Sequence, residues 1–155
     1  MSRAEARPLP TGLPAWNFES DSTLIQVLAK NAAAFGQKPA MREKDLGIWQ
    51  QITWQELLDT VIAAAAGLDA LGFGPGKAML VLGDNGPRLY MGMLAAGALG
   101  GYPMPVYPDA TPDELRHFAQ ELPLHVAFAD DQEQVDKVLD LRDSGSTIVN
   151  VLFDD

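Results

Sequence analysis

Cysteine is absent, and only two histidines, His117 and His125, occur in 155 residues. The first absence excludes disulfides, thiolate zinc sites and cysteine nucleophiles, and two histidines are too few for an all-histidine metal site. Basic side chains are scarce as well: 11 Lys and Arg face 21 Asp and Glu, for a net charge of -10. That balance repels phosphate backbones and argues against a nucleic-acid role. No uninterrupted apolar run approaches the roughly 20 residues a membrane-spanning helix needs. The longest candidate, residues 91–106, is broken by four glycines and two prolines, so no transmembrane segment is expected. The opening residues, Met1-Ser-Arg-Ala-Glu-Ala-Arg-Pro, form no apolar core of a signal peptide, so a cytoplasmic location is expected.

What is present is ordinary globular material, with 47% apolar and 21% charged residues. A chain of this length buries roughly 70% of the surface its unfolded form exposes, enough for a real core. The charge is unevenly placed: residues 1–108 hold 9 acids and 8 bases, whereas 109–155 hold 12 acids and 3 bases. Such a half reads either as solvated helix faces or as a surface for a basic partner.

Residues 1–20 carry Pro8, Pro10 and Pro14 without periodicity and read as an irregular arm, whose Trp16 and Phe18 are candidate docking residues. Thr23 with Gln26 forms a capping-box pair, and Leu24, Val27, Leu28, Ala32 and Phe35 share one helical face, which predicts a helix over 24–35 stopped by Gly36. Two short extended runs, 40–43 and 48–54, flank the turn Lys44-Asp-Leu-Gly and predict a hairpin, with Ile48, Ile52 and Trp54 alternating against Gln51 and Thr53. Thr53 and Glu56 make a second capping box. It opens a helix whose stripe is Leu57, Leu58, Val61, Ile62, Ala65 and Leu68, ending at Gly72.

Short apolar strands then begin near 78, 102, 125 and 148, with room for one helix between each pair. Parallel strands with right-handed crossovers follow from that spacing. Pro87 suits a first helical position after Asp84 and Asn85, and Thr111-Pro-Asp-Glu114 is a third capping box. Leu115, Phe118, Ala119 and Leu122 are expected to face the sheet, and Val135, Val138 and Leu139 to do so from a last helix ending near Gly145. The predicted class is α/β: an N-terminal hairpin and helices, then an open, mostly parallel sheet with helices on both faces, βαβαβαβ from about 78 to 152.

Open parallel sheets bind ligands beyond the carboxyl ends of their strands. Gly83-Asp84-Asn85-Gly86 joins a strand to a helix there, and reads as an anion cradle or as an N-cap in a tight turn; it lacks the G-x-G-x-x-G spacing, and Asp84 adds a like charge. Gly72-Phe-Gly-Pro-Gly76 precedes a strand and reads as a helix stop. Ser144-Gly145-Ser146-Thr147 lacks the following glycine and lysine of a phosphate loop, and the helix end before it accounts for Gly145. His117 and His125 have no visible Ser or Asp partner and read as structural. Asp130, Asp131, Glu133 and Asp136 cluster at a strand-to-helix turn, where they suit a helix N-terminus or a hard cation. The residues alone give an α/β domain with no evident catalytic set.

In their order, Thr53-Trp-Gln-Glu-Leu-Leu and Ala95-Ala-Gly-Ala-Leu-Gly-Gly-Tyr-Pro-Met-Pro-Val-Tyr-Pro resemble the first two core motifs of the AMP-forming adenylating enzymes. That superfamily holds the acyl-CoA synthetases, luciferases and peptide-synthetase adenylation domains. Arg42-Glu-Lys-Asp-Leu-Gly-Ile-Trp and Asp130-Asp-Gln-Glu-Gln-Val-Asp-Lys-Val-Leu make it most similar to the bacterial long-chain fatty acyl-CoA synthetases. The resemblance covers about residues 20–155 and implies that 21–155 is an N-terminal subdomain, incomplete at its C-terminus, of an adenylating domain. Members join a carboxylate to AMP using ATP and magnesium and then pass the acyl group to a thiol, usually coenzyme A. Their phosphate loop ending in Pro-Lys-Gly, their adenine and magnesium motifs and their mobile C-terminal domain with its catalytic lysine follow the region matched here, and this chain contains none of them.

The resemblance therefore implies ATP, Mg2+ and CoA for a parent ligase acting on a fatty acid, and none bound by this chain alone. No catalytic, cofactor-binding or metal residue is carried over, because both matched motifs are chiefly structural in the family. One departure is local. Where the family carries Asn-x-Pro-Glu-Trp, this chain has Asn85-Gly-Pro-Arg88-Leu-Tyr90, a cation at a helix start where cations are disfavoured. The expected partners are the remainder of the ligase and a second copy meeting through exposed apolar surface. A standalone binding module and a nucleotide sensor built on the Gly83 loop are the alternatives.

Overall fold

The computed structural model describes residues 23–153. The arm at 1–20, with Trp16 and Phe18, lies outside the described residues. The order is α1 (Leu24–Phe35), β1 (Pro39–Asp45), β2 (Ile48–Thr53), α2 (Trp54–Ala70), β3 (Ala78–Leu82), α3 (Pro87–Ala98), β4 (Tyr102–Val106), α4 (Pro112–Glu121), β5 (Leu124–Ala129), α5 (Gln132–Asp143) and β6 (Asn150–Phe153).

Three helices begin as the sequence predicts. Thr23, Thr53 and Thr111 each accept the backbone N–H three residues on, and Gln26, Glu56 and Glu114 each accept the N–H of their threonine, the latter two at 2.8 Å. Each box satisfies two of the donors a helix start leaves unpaired. α3 starts differently. Pro87 is the first helical residue, but the cap is Gly86 and no side chain bonds to it, so neither Asp84 nor Asn85 is the N-cap. Asn85 instead accepts from the Tyr90 hydroxyl at 3.3 Å, which draws its side chain away from the helix start.

The hairpin β1–β2 is antiparallel and joined by the two-residue turn Leu46-Gly47, both at positive φ. Its alternation does not become burial: Ile48 is 65% exposed and Ile52 half-buried, because the hairpin's far end projects past the helices.

The four remaining strands form one parallel sheet in the order β4-β3-β5-β6. From β3 the chain steps to one side through α3, then back past β3 through α4 to reach β5. Crossovers of a single hand that run in opposite directions must lie on opposite faces, so helices cover both. All five residues of β3 are buried, and alternate ones feed two cores. Met79 and Val81 pack with Leu57, Val61, Leu89, Met91 and Ala95 beneath α1, α2 and α3. Ala78, Leu80 and Leu82 pack with Leu115, Val138 and Leu141 beneath α4 and α5.

Three side chains depart from the predicted stripes. Ile62 of α2 is 58% exposed, and Leu122 turns outward as the C-cap of α4. On α5 it is Leu141, rather than Leu139, that is fully buried beside Val138. Each sits at the margin of its stripe, where the position of neighbouring elements decides burial and periodicity does not.

Candidate functional site

The carboxyl ends of β3, β4 and β5 converge where the strand order reverses, the customary place for a ligand in such a sheet. Gly83, directly after β3, is pressed against Asp130, directly after β5. A Cβ on Gly83 would lie 2.2 Å from the Asp130 Cβ, so only glycine fits. The Asp130 carboxylate then accepts the Asp84 N–H at 3.3 Å. The crevice between β3 and β5 is thus filled by a carboxylate, which occupies a backbone donor an anion would use. On the β4 side the same loop borders a hollow of about 270 Å³, with Leu89, Met93, Val106 and Tyr107 as its apolar wall and Asn85 and Tyr90 at its polar end.

The acidic turn distributes its charges. Asp131 caps α5, accepting the Gln134 N–H at 2.9 Å; Glu133 pairs with Lys137 at 2.9 Å; Asp136 accepts from Gln132 at 2.8 Å; and Asp130 holds the Gly83 loop. Among the described residues no three His, Asp or Glu side chains gather to hold a metal. The residues present do not fit a magnesium-bound polyphosphate.

The other sequence candidates fall at helix and strand ends. Gly72 and Gly76 adopt positive φ in the turn after α2. The Ser144 hydroxyl donates to the Leu141 carbonyl at 2.7 Å and the Thr147 hydroxyl donates to the Leu124 carbonyl, so this loop closes α5 and hands over to β6. His117 lies exposed on α4 beside Phe118. His125 stands with its Nε2 3.4 Å from both Lys77 Nζ and the Leu71 carbonyl, while Lys77 also donates to the Gly72 carbonyl. This knot fastens the opposite, amino-terminal end of the sheet to the end of α2. Its members are 48 residues apart in sequence, so no local pattern marks it.

One apolar concavity among the described residues was not legible in the sequence. A cleft of about 480 Å³ opens between α2 and α3 over the sheet, floored by Met79, Phe128 and Leu152 and walled by Leu68 and Leu71. It exists because the facing helix positions, Ala64, Gly67 and Gly92, are small. Arg88 and Thr60 stand at one end, where the cleft meets a hollow that also carries Glu43, Asp45 and Glu56. Arg88 therefore joins an acidic surrounding and does not present an isolated cation.

Among the described residues two carboxyl groups are shifted from their ordinary range. Glu56 and Glu114 sit below the usual carboxylate range, chiefly through the backbone N–H of Thr53 and Thr111 and then through the threonine hydroxyls. Both are capping groups and neither lines the crevice.

The arrangement of elements has clear counterparts. The acetoacetyl-CoA synthetase of Streptomyces lividans superposes with a TM-score of 0.75 at 27% identity, over 83% of this chain and 21% of its own. The anthranilate CoA ligase AuaEII, solved with anthranoyl-AMP, superposes with a TM-score of 0.76 at 15% identity, over 84% of this chain and 24% of its own. In sequence, the long-chain-fatty-acid–CoA ligase ACSBG1 of Bos taurus is 23% identical over 121 residues, which is 78% of this chain and 17% of that ligase. The chain spans about a sixth of the length of the curated relatives it matches. Residues 28–155 match the AMP-binding enzyme family, and they include every helix and strand that builds the two cores, apart from the first turn of α1. The chain belongs to the AMP-binding enzyme family.

Proposed function

We propose that this chain is the N-terminal scaffold of an ATP-dependent long-chain fatty acid–CoA ligase and does not catalyse on its own. The observation that carries the reading is the family match over 28–155, set on a domain whose strand-end crevice is closed by Asp130. In the parent enzyme a fatty carboxylate displaces pyrophosphate from ATP to give an acyl adenylate, and the CoA thiol then displaces AMP. Such chemistry needs preorganised donors and a cation around the phosphates. ATP, Mg2+ and CoA are assigned to the parent, with the remainder of the ligase as this chain's partner. A cytoplasmic location suits these cofactors. Among the described residues no helix is long and apolar enough to cross a membrane.

What the chain contributes is framework. β3 and its two cores hold the Gly83 and Asp130 loops at the strand ends, and the hairpin extends past them. Isothermal titration with ATP, AMP and a long-chain acyl-CoA, together with a pyrophosphate-release assay on fatty acid and CoA, tests the reading. No binding heat and no turnover are expected; micromolar nucleotide binding would falsify it and favour the sensor reading instead.

A standalone interaction module is the second reading. It is favoured by the bare hairpin end, where Leu46 is 94%, Ile48 65% and Trp49 62% exposed. If the 155-residue chain acts alone in its host, capture partners should be lost in a Trp49→Lys variant.

A further inference from the structure

We draw no further inference here: the strongest candidate, the apolar cleft between α2 and α3 floored by Met79, Phe128 and Leu152, is an unpartnered face, and nothing in the structure shows what covers it.

Discussion

Leu46 holds a φ of 45° at the tip of the β1–β2 turn while 94% exposed. A leucine there meets the left-handed steric penalty and gains no burial in return, whereas asparagine visits that region readily and suits a two-residue hairpin turn. Leu46→Asn should raise stability by about 0.5–1 kcal/mol, seen as a higher urea midpoint at unchanged slope. Gly83 is the opposite case, a residue held by its neighbour. Gly83→Ala drives a methyl into Asp130 and should cost about 1–3 kcal/mol by overpacking. Asp130→Gly on that background should recover part of the loss, and strict additivity of the two changes would show that the contact does not matter. Neither site stands out in the sequence as what it is. Asp-Leu-Gly reads correctly as a turn, but the close approach of Gly83 to Asp130 joins two strand ends 47 positions apart.

At the level of elements, the helix starts are local devices. Thr53→Ala should cost about 1 kcal/mol by losing the bond to the Glu56 N–H. Glu56 adds a pH term. Its pKa in the folded chain is lowered from 4.5, so it stabilises at pH above about 4.5 and this help is lost as pH falls through the lowered value. Glu56→Gln should therefore be less stable than the parent at neutral pH and converge with it in acid, as a series of urea midpoints against pH would reveal. All three capping boxes were readable because partner and cap lie three residues apart. The α3 start differs for the complementary reason: Asn85 is a good cap by type, but its side chain accepts from Tyr90, and the cap falls on Gly86. Burial at stripe margins was equally hidden, since Ile62 and Leu139 satisfy the helical period and still miss the core.

At the scale of the whole molecule, β3 is the member both cores share, and its substitution tests that arrangement. Leu80→Ala leaves a cavity between β3, α4 and α5 and should cost about 2–5 kcal/mol, a large part of the stability of a domain this size, measurable by chemical denaturation. The sequence by itself determined the element inventory, the α/β class, the three capped helix starts and the family resemblance. Each of these rests on contacts within a few residues or on the spacing of apolar runs along the chain. Only the tertiary structure decided that β3 lies between β4 and β5, that Asp130 closes the strand-end crevice, and that small residues on α2 and α3 open an apolar cleft. The prolines at 103 and 105 were visible from the start. Which side of the strand they face is fixed by the register of β4 on β3, and register is set by packing across the sheet, not by the order of residues within one strand.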